Sequence, residues 1–355
     1  MNLTTSYPGV YLSEDAVSSF SVNTASTAVP IFVYDSSKVI TKSNDIQIFR
    51  NWAEFIAVYD DKSQQQAFYT SLKVWFMHGG GKCYLVDENK IADTVAQYDD
   101  ITLLVAAGTD TATYAAFNTV VNKGYRIFGL FDGPQEKIAS NATPDTIMTK
   151  YPVSAYGAVF YPWCNLSSGE KVPPSAIAAA SIAQTDRTRG VWKAPANQVV
   201  NGVIPVFSVS DDLQGQFNQG KALNMIRTFS GQGTVVWGAR TLEDSDNWRY
   251  IPVRRLFNTV ERDIQKALNK LIFEPNSQPT WQRVKAAVDS YLHDLWQQGA
   301  LAGNTPDEAW FVQVGKDLTM TQEDINQGKM IIKIGLAAVR PAEFIILQFS
   351  QDIAQ

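Results

Sequence analysis

Two apolar runs near the end of the chain carry its clearest strand pattern. The first, residues 329–337, has an apolar side chain at every second position, as expected for a β-strand with one buried face. These side chains are Met330, Ile332, Ile334 and Leu336. The second, residues 343–349, follows an Arg-Pro-Ala break and is apolar on both faces. Such a strand lies inside a sheet of its own chain or offers its edge to a neighbouring copy, because an unpaired apolar edge binds other chains.

Short apolar runs alternate with amphipathic segments over the first half of the chain. The pattern predicts strands at residues 29–34, 83–86, 103–106, 126–131 and 158–161. It predicts helices at residues 51–59, 64–77, 111–122, 135–149 and 175–184. Such alternation is typical of a sheet with helices packed on it, so the expected fold class is α/β of the mixed, α+β kind.

The last third of the chain has the most regular helical periodicity. Apolar side chains recur on one stripe from Leu256 to Leu271 and on a second from Val284 to Leu295, with Pro275 and Pro279 between them. Further strands are predicted at residues 203–207, 234–237 and 310–314. The chain is long enough to form two domains, each with a sizeable core.

Composition and charge exclude several functions. The chain has 355 residues and a formal net charge of −5, which gives no reason to expect a nucleic acid as partner. No apolar run reaches the length of about 18 residues that spans a membrane. The first residues lack the basic and apolar regions of a secretion signal, so we expect no signal peptide. Cys83 and Cys164 lie in apolar surroundings and are predicted to be buried free thiols of a cytoplasmic protein.

The glycine run at residues 79–81, followed by Lys82, invites a phosphate-binding interpretation. That interpretation fails because Cys83 stands where a serine or threonine would hold Mg²⁺. The run also ends a predicted helix and begins a strand, whereas a phosphate loop precedes a helix N-terminus. A glycine-rich helix C-cap explains the run instead.

No metal, cofactor or catalytic site is predicted. The two histidines, His78 and His293, and the two cysteines show none of the spacings that metal sites use. A Ser-His-Asp arrangement stays open on sequence alone, but no G-x-S-x-G turn supports one. We therefore expect no enzymatic activity. An α/β enzyme with an unrecognised site is the competing hypothesis from another functional class.

A charged cluster, Asp186, Arg187 and Arg189, lies shortly before Trp192. Two interpretations are open: a solvated or ion-paired loop, and a salt bridge between subunits.

The cluster also begins the segment Asp-Arg-Thr-Arg-Gly-Val-Trp-Lys-Ala-Pro-Ala-Asn at residues 186–197. This segment resembles the D-x-x-x-G-V-W-K-A-P-A-N signature of contractile tail sheath proteins.

Other segments resemble the same family and follow in its order. Residues 7–11 resemble its N-terminal arm, and residues 76–84 resemble its F-x-N-G-G-x-x-C-Y turn, with His78 where asparagine is usual. The remaining matches are residues 224–227, 236–241, 248–256 and 340–345. The chain lacks the extra outer domains of many phage sheaths. In this it is most similar to the sheath of extracellular contractile injection systems of the antifeeding-prophage and Photorhabdus virulence cassette type; a short-sheathed phage or an R-type pyocin is the alternative.

The resemblance implies a structural subunit that polymerises as stacked hexameric rings around an inner tube. The sheath would contract and drive the tube through a target membrane. Its implied partners are other copies of itself, the inner tube protein, and baseplate and terminal cap proteins, without nucleic acid and without direct membrane insertion. Assembly would occur in the cytoplasm, followed by release of an extracellular particle. The inner tube protein itself is disfavoured, because tube subunits are much shorter and mostly β.

The resemblance also implies a two-domain tail-sheath fold with extended N- and C-terminal arms. The expected division is an N-terminal arm at residues 1–24, an outer α/β domain at 25–200, a tube-proximal domain at 201–342 and a C-terminal arm at 343–355. Arms of this family add strands to a neighbour's sheet. The residues expected to make these contacts are Tyr7, Pro8, Gly9, Val10, Tyr11, Phe344, Ile345, Ile346, Leu347 and Phe349.

In this family a helix of the C-terminal domain contacts the tube. Residues 321–327 are the matching candidate, with Glu323, Asp324 and Gln327 as the expected contact residues. Thr321 is a suitable N-cap, and the two carboxylates suit a first helical turn. The alternative is that these carboxylates only stabilise the helix.

Overall fold

The computed structural model describes residues 21–37, 46–59, 66–109 and 111–344. Of the predicted arm residues, Phe344 lies in this part of the chain. The others lie outside the described residues: Tyr7, Pro8, Gly9, Val10, Tyr11, Ile345, Ile346, Leu347 and Phe349. The described part consists of a large mixed sheet covered by helices, followed by a helix-rich region with a small sheet.

Strands and helices alternate along most of the chain. The strands are β1 (Pro30–Tyr34), β2 (Gln47–Phe49), β3 (Cys83–Asp87), β4 (Leu103–Val105), β5 (Phe128–Asp132), β6 (Gly157–Tyr161), β7 (Cys164–Leu166), β8 (Lys171–Val172), β9 (Val203–Pro205), β10 (Leu223–Phe229), β11 (Gly233–Trp237), β12 (Trp310–Val314) and β13 (Ile332–Leu336). The helices are α1 (Trp52–Val58), α2 (Ala67–Met77), α3 (Ile91–Gln97), α4 (Thr111–Asn122), α5 (Pro144–Met148), α6 (Pro174–Arg189), α7 (Asp211–Gln216), α8 (Ile251–Leu268), α9 (Gln278–Gln297), α10 (Pro306–Ala309) and α11 (Gln322–Asn326).

Among the described residues, eight strands form one sheet in the order β11-β10-β6-β5-β4-β1-β3-β2. The inner strands pair in parallel, and antiparallel β11 and β2 close the two edges. Parallel strands are covered on both faces and therefore appear as continuous apolar runs in sequence. In β1, Phe32 and Tyr34 belong to one apolar cluster, and Ile31 and Val33 belong to the other.

Two sets of helices cover the two faces of this sheet. Helices α2 and α6 pack on the face of Phe32, where Trp75 of α2 meets the Phe32 ring at a centroid distance of 6.0 Å. Helices α3 and α4 pack on the opposite face through side chains such as Val95 and Phe117. Helix α6 is buried on all sides over most of its length, which explains its alanine-rich, non-amphipathic sequence.

The predicted helix at residues 135–149 is wrong over most of its length. Only Pro144–Met148 forms a helix, α5. Thr143, the residue before the proline, is extended with φ −100° and ψ 154°. The proline ring disfavours helical geometry at the preceding residue, so the helix starts at Pro144 instead of running through it.

The predicted boundary at residue 200 falls within one sheet. Strand β10 pairs in parallel with β6 and antiparallel with β11, so residues up to 237 belong to the same sheet as β1. The apolar pattern also did not predict strand β10. A further small sheet, β8-β7-β9, joins residues 164–172 to residues 203–205 across the same position.

The helix-rich region is organised around α8 and α9. The predicted apolar stripes form one core, in which Leu256 and Val260 of α8 cluster with Val288 and Leu292 of α9. Strands β12 and β13 pair antiparallel, with Val312 opposite Ile334, and their inner faces join that core. Pro279 occupies the first turn of α9, where its missing N–H costs nothing.

Candidate assembly site: the roots of the terminal segments

Residues 25–27, which we call the N-terminal root, lie between α6 and α8. Thr27 donates its hydroxyl to Asp186 Oδ2 at 2.6 Å. Arg255 binds both oxygens of the same carboxylate, from Nη1 to Oδ1 at 2.8 Å and from Nη2 to Oδ2 at 2.7 Å. Arg255 Nη2 also donates to the Thr27 carbonyl at 3.0 Å. One carboxylate and one guanidinium therefore tie together α6, α8 and the start of the described chain.

The Asp186–Arg255 pair is almost completely shielded from water. The side chains are 5% and 4% exposed, respectively. Burying two charges is costly, and only a close bidentate geometry with further hydrogen bonds offsets the cost. The prediction of a loop is wrong here, because Asp186 lies in the last turn of α6. Its partner lies in the same chain, which supports the ion-paired interpretation of the charged cluster.

A second set of contacts from α8 holds the preceding residues of the N-terminal root. Arg262 Nη2 donates to the Ser26 carbonyl at 3.0 Å, and the Ala25 amide donates to Asp263 Oδ1 at 3.3 Å. Tyr291 of α9 donates its hydroxyl to Asp263 Oδ2 at 3.0 Å. Burial raises the pKa of Asp263 and lowers the pKa of Arg262. The root is thus anchored at three successive residues.

Arg187 connects two of the sequence segments that first indicated the family. Its guanidinium donates to the Gly79 carbonyl at 2.8 Å and to the His78 carbonyl at 3.4 Å, at the C-terminus of α2. Gly79 has a φ of +74°, which favours glycine. A Cβ at Gly80 would lie 2.2 Å from the Trp75 ring. The prediction of a glycine-rich C-cap is therefore confirmed.

Residues 341–344, which we call the C-terminal root, are held by a second buried arginine. Arg240 Nε lies 3.0 Å from Glu343 Oε2, and its Nη2 lies 2.6 Å from the same oxygen. The Arg240 Nη1 atom donates to the Asn218 carbonyl. The Arg240 amide donates to Asn224 Oδ1 at 2.8 Å, which fixes the backbone of this arginine beside β10. Glu343 is thereby fastened to the sheet-bearing part of the chain, and Phe344 beyond it is 71% exposed.

A cavity of about 580 Å³ lies beside the C-terminal root. We call it the Trp237 cavity. Apolar and aromatic groups form much of its wall, among them Ala196, Trp237, Ala239, Tyr250 and Phe344. The charged groups at its rim are paired, Asp211 with Arg227 and Glu343 with Arg240. The cavity is therefore suited to a neutral, apolar group.

The β12–β13 sheet has two strands among the described residues, so each strand has an edge that no described strand covers. Its outer face carries Phe311, which is exposed, and Ile331 lies exposed just before β13. A Cβ at Gly335 would lie 2.2 Å from the Phe311 ring, so the glycine lets that ring lie across the sheet. Exposed apolar edges of this kind bind additional strands.

Helix α11 places the three predicted tube-contact residues in different roles. Asp324 Oδ2 accepts from the Thr321 amide at 3.0 Å, and the Asp324 amide donates to Thr321 Oγ1 at 3.2 Å, which completes a capping box. The hydrogen bonds that the Thr321 amide and hydroxyl donate to this carboxylate lower the pKa of Asp324. Gln327 donates to Glu323 Oε1 at 3.2 Å. Asp324 therefore stabilises the helix, and Glu323 is the more available carboxylate for a partner.

Cysteine, histidine and acidic side chains are the groups that most often bind metals or take part in catalysis. No group of three or more His, Cys, Asp or Glu side chains that could hold a metal ion occurs among the described residues. Cys83 and Cys164 are buried free thiols, as predicted, and burial raises the pKa of each, which disfavours the reactive thiolate. His78 caps α2 and its Nε2 lies 3.1 Å from the Asn201 carbonyl.

Asp132 ends β5 at the carboxyl edge of the parallel strands, where α/β enzymes often bind ligands. Its Oδ1 accepts from the Ser175 amide and its Oδ2 from the Gly108 amide, both at 2.8 Å. Burial raises the pKa of this carboxyl to about 6. Because main-chain donors occupy both oxygens, the group anchors the first turn of α6 to the turn after β4.

We expect Asp132→Asn to lower the free energy of unfolding by about 2 kcal/mol at pH 7. The new amide group faces a main-chain N–H and leaves that donor without an acceptor. Urea denaturation followed by circular dichroism measures the loss. Asp93→Asn, which changes an exposed carboxylate in the first turn of α3, is the control and should cost about 0.5 kcal/mol. Equal losses in the two variants would contradict the anchoring role.

Family models match most of the chain. Residues 86–242 match the phage tail sheath protein central domain, and residues 243–352 match the phage tail sheath C-terminal domain. The chain belongs to the phage tail sheath family. Membership makes it a structural sheath subunit, and the mixed α/β sheath fold predicted from sequence is confirmed. The division between the two family models falls after residue 242, beyond the end of β11.

Two solved structures resemble this tail sheath protein over nearly its whole length. One is a chain of the anti-feeding prophage baseplate in its contracted state, with 81% identity, a TM-score of 0.91, and coverage of 98% of this chain and 100% of that one. The other is from the sheath complex of PVC, an extracellular contractile injection system, also contracted, with 47% identity, a TM-score of 0.91 and 99% coverage of both chains.

A curated relative gives the same family from sequence alone. The putative prophage major tail sheath protein of Pseudomonas aeruginosa (strain UCBPP-PA14) is 27% identical over 50% of this chain and 45% of its own length. The chain thus spans less than half the length of the curated relatives it matches. None of the helices in the described part of this tail sheath protein has the length and hydropathy needed to span a lipid bilayer.

Proposed function

We propose that this tail sheath protein is the repeating subunit of a contractile sheath, assembled as stacked hexameric rings around an inner tube. Contraction would drive the tube through the membrane of a target cell. The observation that carries the proposal is similarity over 98% and 99% of the chain to chains of two contracted injection-system assemblies. A subunit that repeats along a helix needs a contact that does not close on itself.

In this proposal the terminal arms join neighbouring copies by strand addition. The uncovered edges of the β12–β13 sheet supply main-chain donors and acceptors for an incoming strand, and Phe311 and Ile331 supply apolar contacts. Residues 343–349 are apolar on both faces, as is typical of a strand that is buried when it pairs. Residues 7–11 are the corresponding N-terminal candidate.

The two roots give this coupling a fixed starting point on each subunit. Asp186–Arg255 and Arg240–Glu343 hold the ends of the described chain to its body, while the arms beyond them reach other copies. Main-chain bonds in a sheet do not depend on which side chains neighbour them. The arms would therefore stay bound while the bodies rotate and slide. Even about 1 kcal/mol released per subunit would sum to a large driving force.

The proposed domain division follows the sheet. Residues 25 to about 242 would form the outer domain and residues from 243 to 342 the tube-proximal domain, because this division leaves the eight-stranded sheet of the described residues intact. Baseplate proteins and a terminal cap protein are the further proposed partners. The particle would assemble in the cytoplasm and act outside the producing cell.

Helix α11 is the proposed contact with the inner tube. We expect Glu323→Lys combined with Asp324→Lys to weaken tube binding about tenfold or more, because the sheath carboxylates would become positive charges. Co-sedimentation of sheath and tube measures this. Asp307→Lys with Glu308→Lys, a matched acidic pair in the first turn of α10, is the control and should leave tube binding unchanged. Unchanged tube binding in the α11 variant would rule out this assignment.

Electron microscopy of the protein expressed alone tests the proposed function. We expect hollow cylinders wider than a tail tube, with sedimentation of the protein as polymer. A sheath can also require its tube and baseplate as template. If the protein alone forms no cylinders, it is co-expressed with the tube and baseplate proteins. The absence of sheathed particles after co-expression would overturn the proposal.

A further inference from the structure

The loop between α8 and α9 presents a large apolar side chain to solvent without cover. Phe273 is fully exposed, at 102% of its reference area, and the adjacent Ile272 is 58% exposed. Phe273 also has a φ of +76°, a backbone region that bulky residues rarely adopt. We call these two residues the α8 tip. Both its exposure and its backbone cost free energy in the isolated subunit.

The base of this loop is firmly held, so the α8 tip keeps its outward position. The Glu274 amide donates to the Leu271 carbonyl at 3.0 Å. Asn276 donates from Nδ2 to the Lys329 carbonyl at 2.8 Å and accepts from Trp281 Nε1 at 2.7 Å. A pre-ordered apolar tip is suited to insertion into a cavity, because little conformational entropy remains to be lost on binding.

A cavity with matching chemistry lies at the opposite end of the same helix. Tyr250, the N-cap of α8, lines the Trp237 cavity, whereas the tip follows the C-terminal end of α8 at Leu268. A helix of 18 residues is about 27 Å long. The tip cannot reach the cavity of its own chain. A second copy placed head to tail could present its tip to it.

We propose that Ile272 and Phe273 of one subunit insert into the Trp237 cavity of a second copy of this chain. This proposal rests on the sheath polymerisation proposed above and adds a body-to-body contact to the arms. A protrusion and a cavity on different faces form a heterologous contact, which generates rings or open helical polymers instead of twofold dimers. Because Asp211 and Glu343 at the cavity are ion-paired, insertion of an apolar side chain does not remove water from an unpaired carboxylate there.

Phe273→Gly separates this role from a role in folding. Glycine tolerates the positive φ and removes the exposed ring, so the melting temperature of the subunit should rise by about 1–3 °C. Loss of the aromatic contact should raise the critical concentration for polymerisation about tenfold. The variant should therefore be more stable as a subunit and yet polymerise less readily. A subunit that polymerised less because it was destabilised would show a lower melting temperature instead. Val153→Gly, which removes an exposed side chain far in sequence from either surface, is the control and should leave the critical concentration unchanged.

The cavity side is tested by Ala196→Leu, which fills the Trp237 cavity. Polymerisation of the full chain is compared by sedimentation for both single variants and for the double variant, with tube and baseplate present if the unmodified chain needs them. Polymerisation of the unmodified chain tests the proposed function separately. If the tip occupies the cavity, the double variant is no worse than the worse single variant.

Three results would overturn the proposal. Additive effects of the two substitutions would place tip and cavity in different contacts. A loss caused only by Ala196→Leu would assign the cavity to another occupant, such as residues 345–355, which follow Phe344 in the sequence. Normal polymerisation of Phe273→Gly with loss of tube co-sedimentation would place the tip against the inner tube.

Discussion

Replacing Asp186 by asparagine is expected to lower the free energy of unfolding by about 3 kcal/mol. The substitution keeps the shape of the side chain but leaves the Arg255 guanidinium, 4% exposed, without its negative partner. The Thr27 hydroxyl also loses an ionised acceptor. Urea denaturation at neutral pH, followed by tryptophan fluorescence, measures the loss. The N-terminal root should then be released, which limited proteolysis near residue 27 would detect.

Asp244→Asn is the matched control for this experiment. Asp244 also pairs with an arginine, Arg249, but both side chains are about 30% exposed, at 31% and 29%. Water screens such a pair, so the expected loss is below about 1 kcal/mol. A similar loss in both variants would mean that burial does not set the strength of the Asp186 pair. The double variant Asp186→Leu with Arg255→Met should recover much of the stability, because no uncompensated charge remains.

Removal of residues 345–355 is expected to abolish polymerisation while the subunit still folds. Both roots are held by ion pairs among residues that remain, Asp186–Arg255 and Arg240–Glu343, so the melting temperature should stay within about 2 °C of the unmodified chain. The polymer should be lost because the C-terminal strand supplies main-chain hydrogen bonds to a neighbour in the proposed assembly. Sedimentation and electron microscopy give the readout. Cylinders formed by the truncated chain would contradict strand addition by the C-terminal arm.

Proline substitution tests whether main-chain hydrogen bonds carry this contact. Successive N–H groups of a strand point to opposite edges, so Ile346→Pro and Leu347→Pro together sample both. We expect one of them to prevent polymerisation and the other to weaken it less. Ile346→Val and Leu347→Val are the controls, because both keep the main-chain N–H and an apolar side chain. Both variants should polymerise. Equal behaviour of the proline and valine variants would point to side-chain contacts instead.

Much of the large sheet could be predicted from local sequence. Strands buried on both faces are continuous apolar runs, so β1, β3, β5 and β6 were recognisable without knowledge of their partners. Strand β10 was missed because Asn224, Arg227 and Thr228 interrupt its apolar pattern. Asn224 is tolerated inside the sheet because its side chain binds the main chain at Val159 and Arg240. Hydrogen bonds between a side chain and a distant part of the main chain produce no pattern in the local sequence.

The candidate site was visible only in part. The charged cluster at Asp186 stood out in sequence, but its partner Arg255 is 69 residues away. Arg240 and Glu343, separated by 103 residues, lay in segments that resembled the family without suggesting any pairing. Ion pairs depend on the three-dimensional path of the chain, and no periodicity encodes them. The α8 tip was missed for a different reason, because exposure and backbone angle are properties of the fold.

The uncovered edges of β12 and β13 bear on how such a protein can diverge. A ladder of amide and carbonyl groups is the same for almost every amino acid, so point mutations in an added strand rarely change its bonding pattern. Proline and a shift of register by one residue are the exceptions. Natural selection would then act on the arm mainly through its length and the register in which it pairs. Two sheath subunits could therefore differ widely in sequence and still join in the same particle.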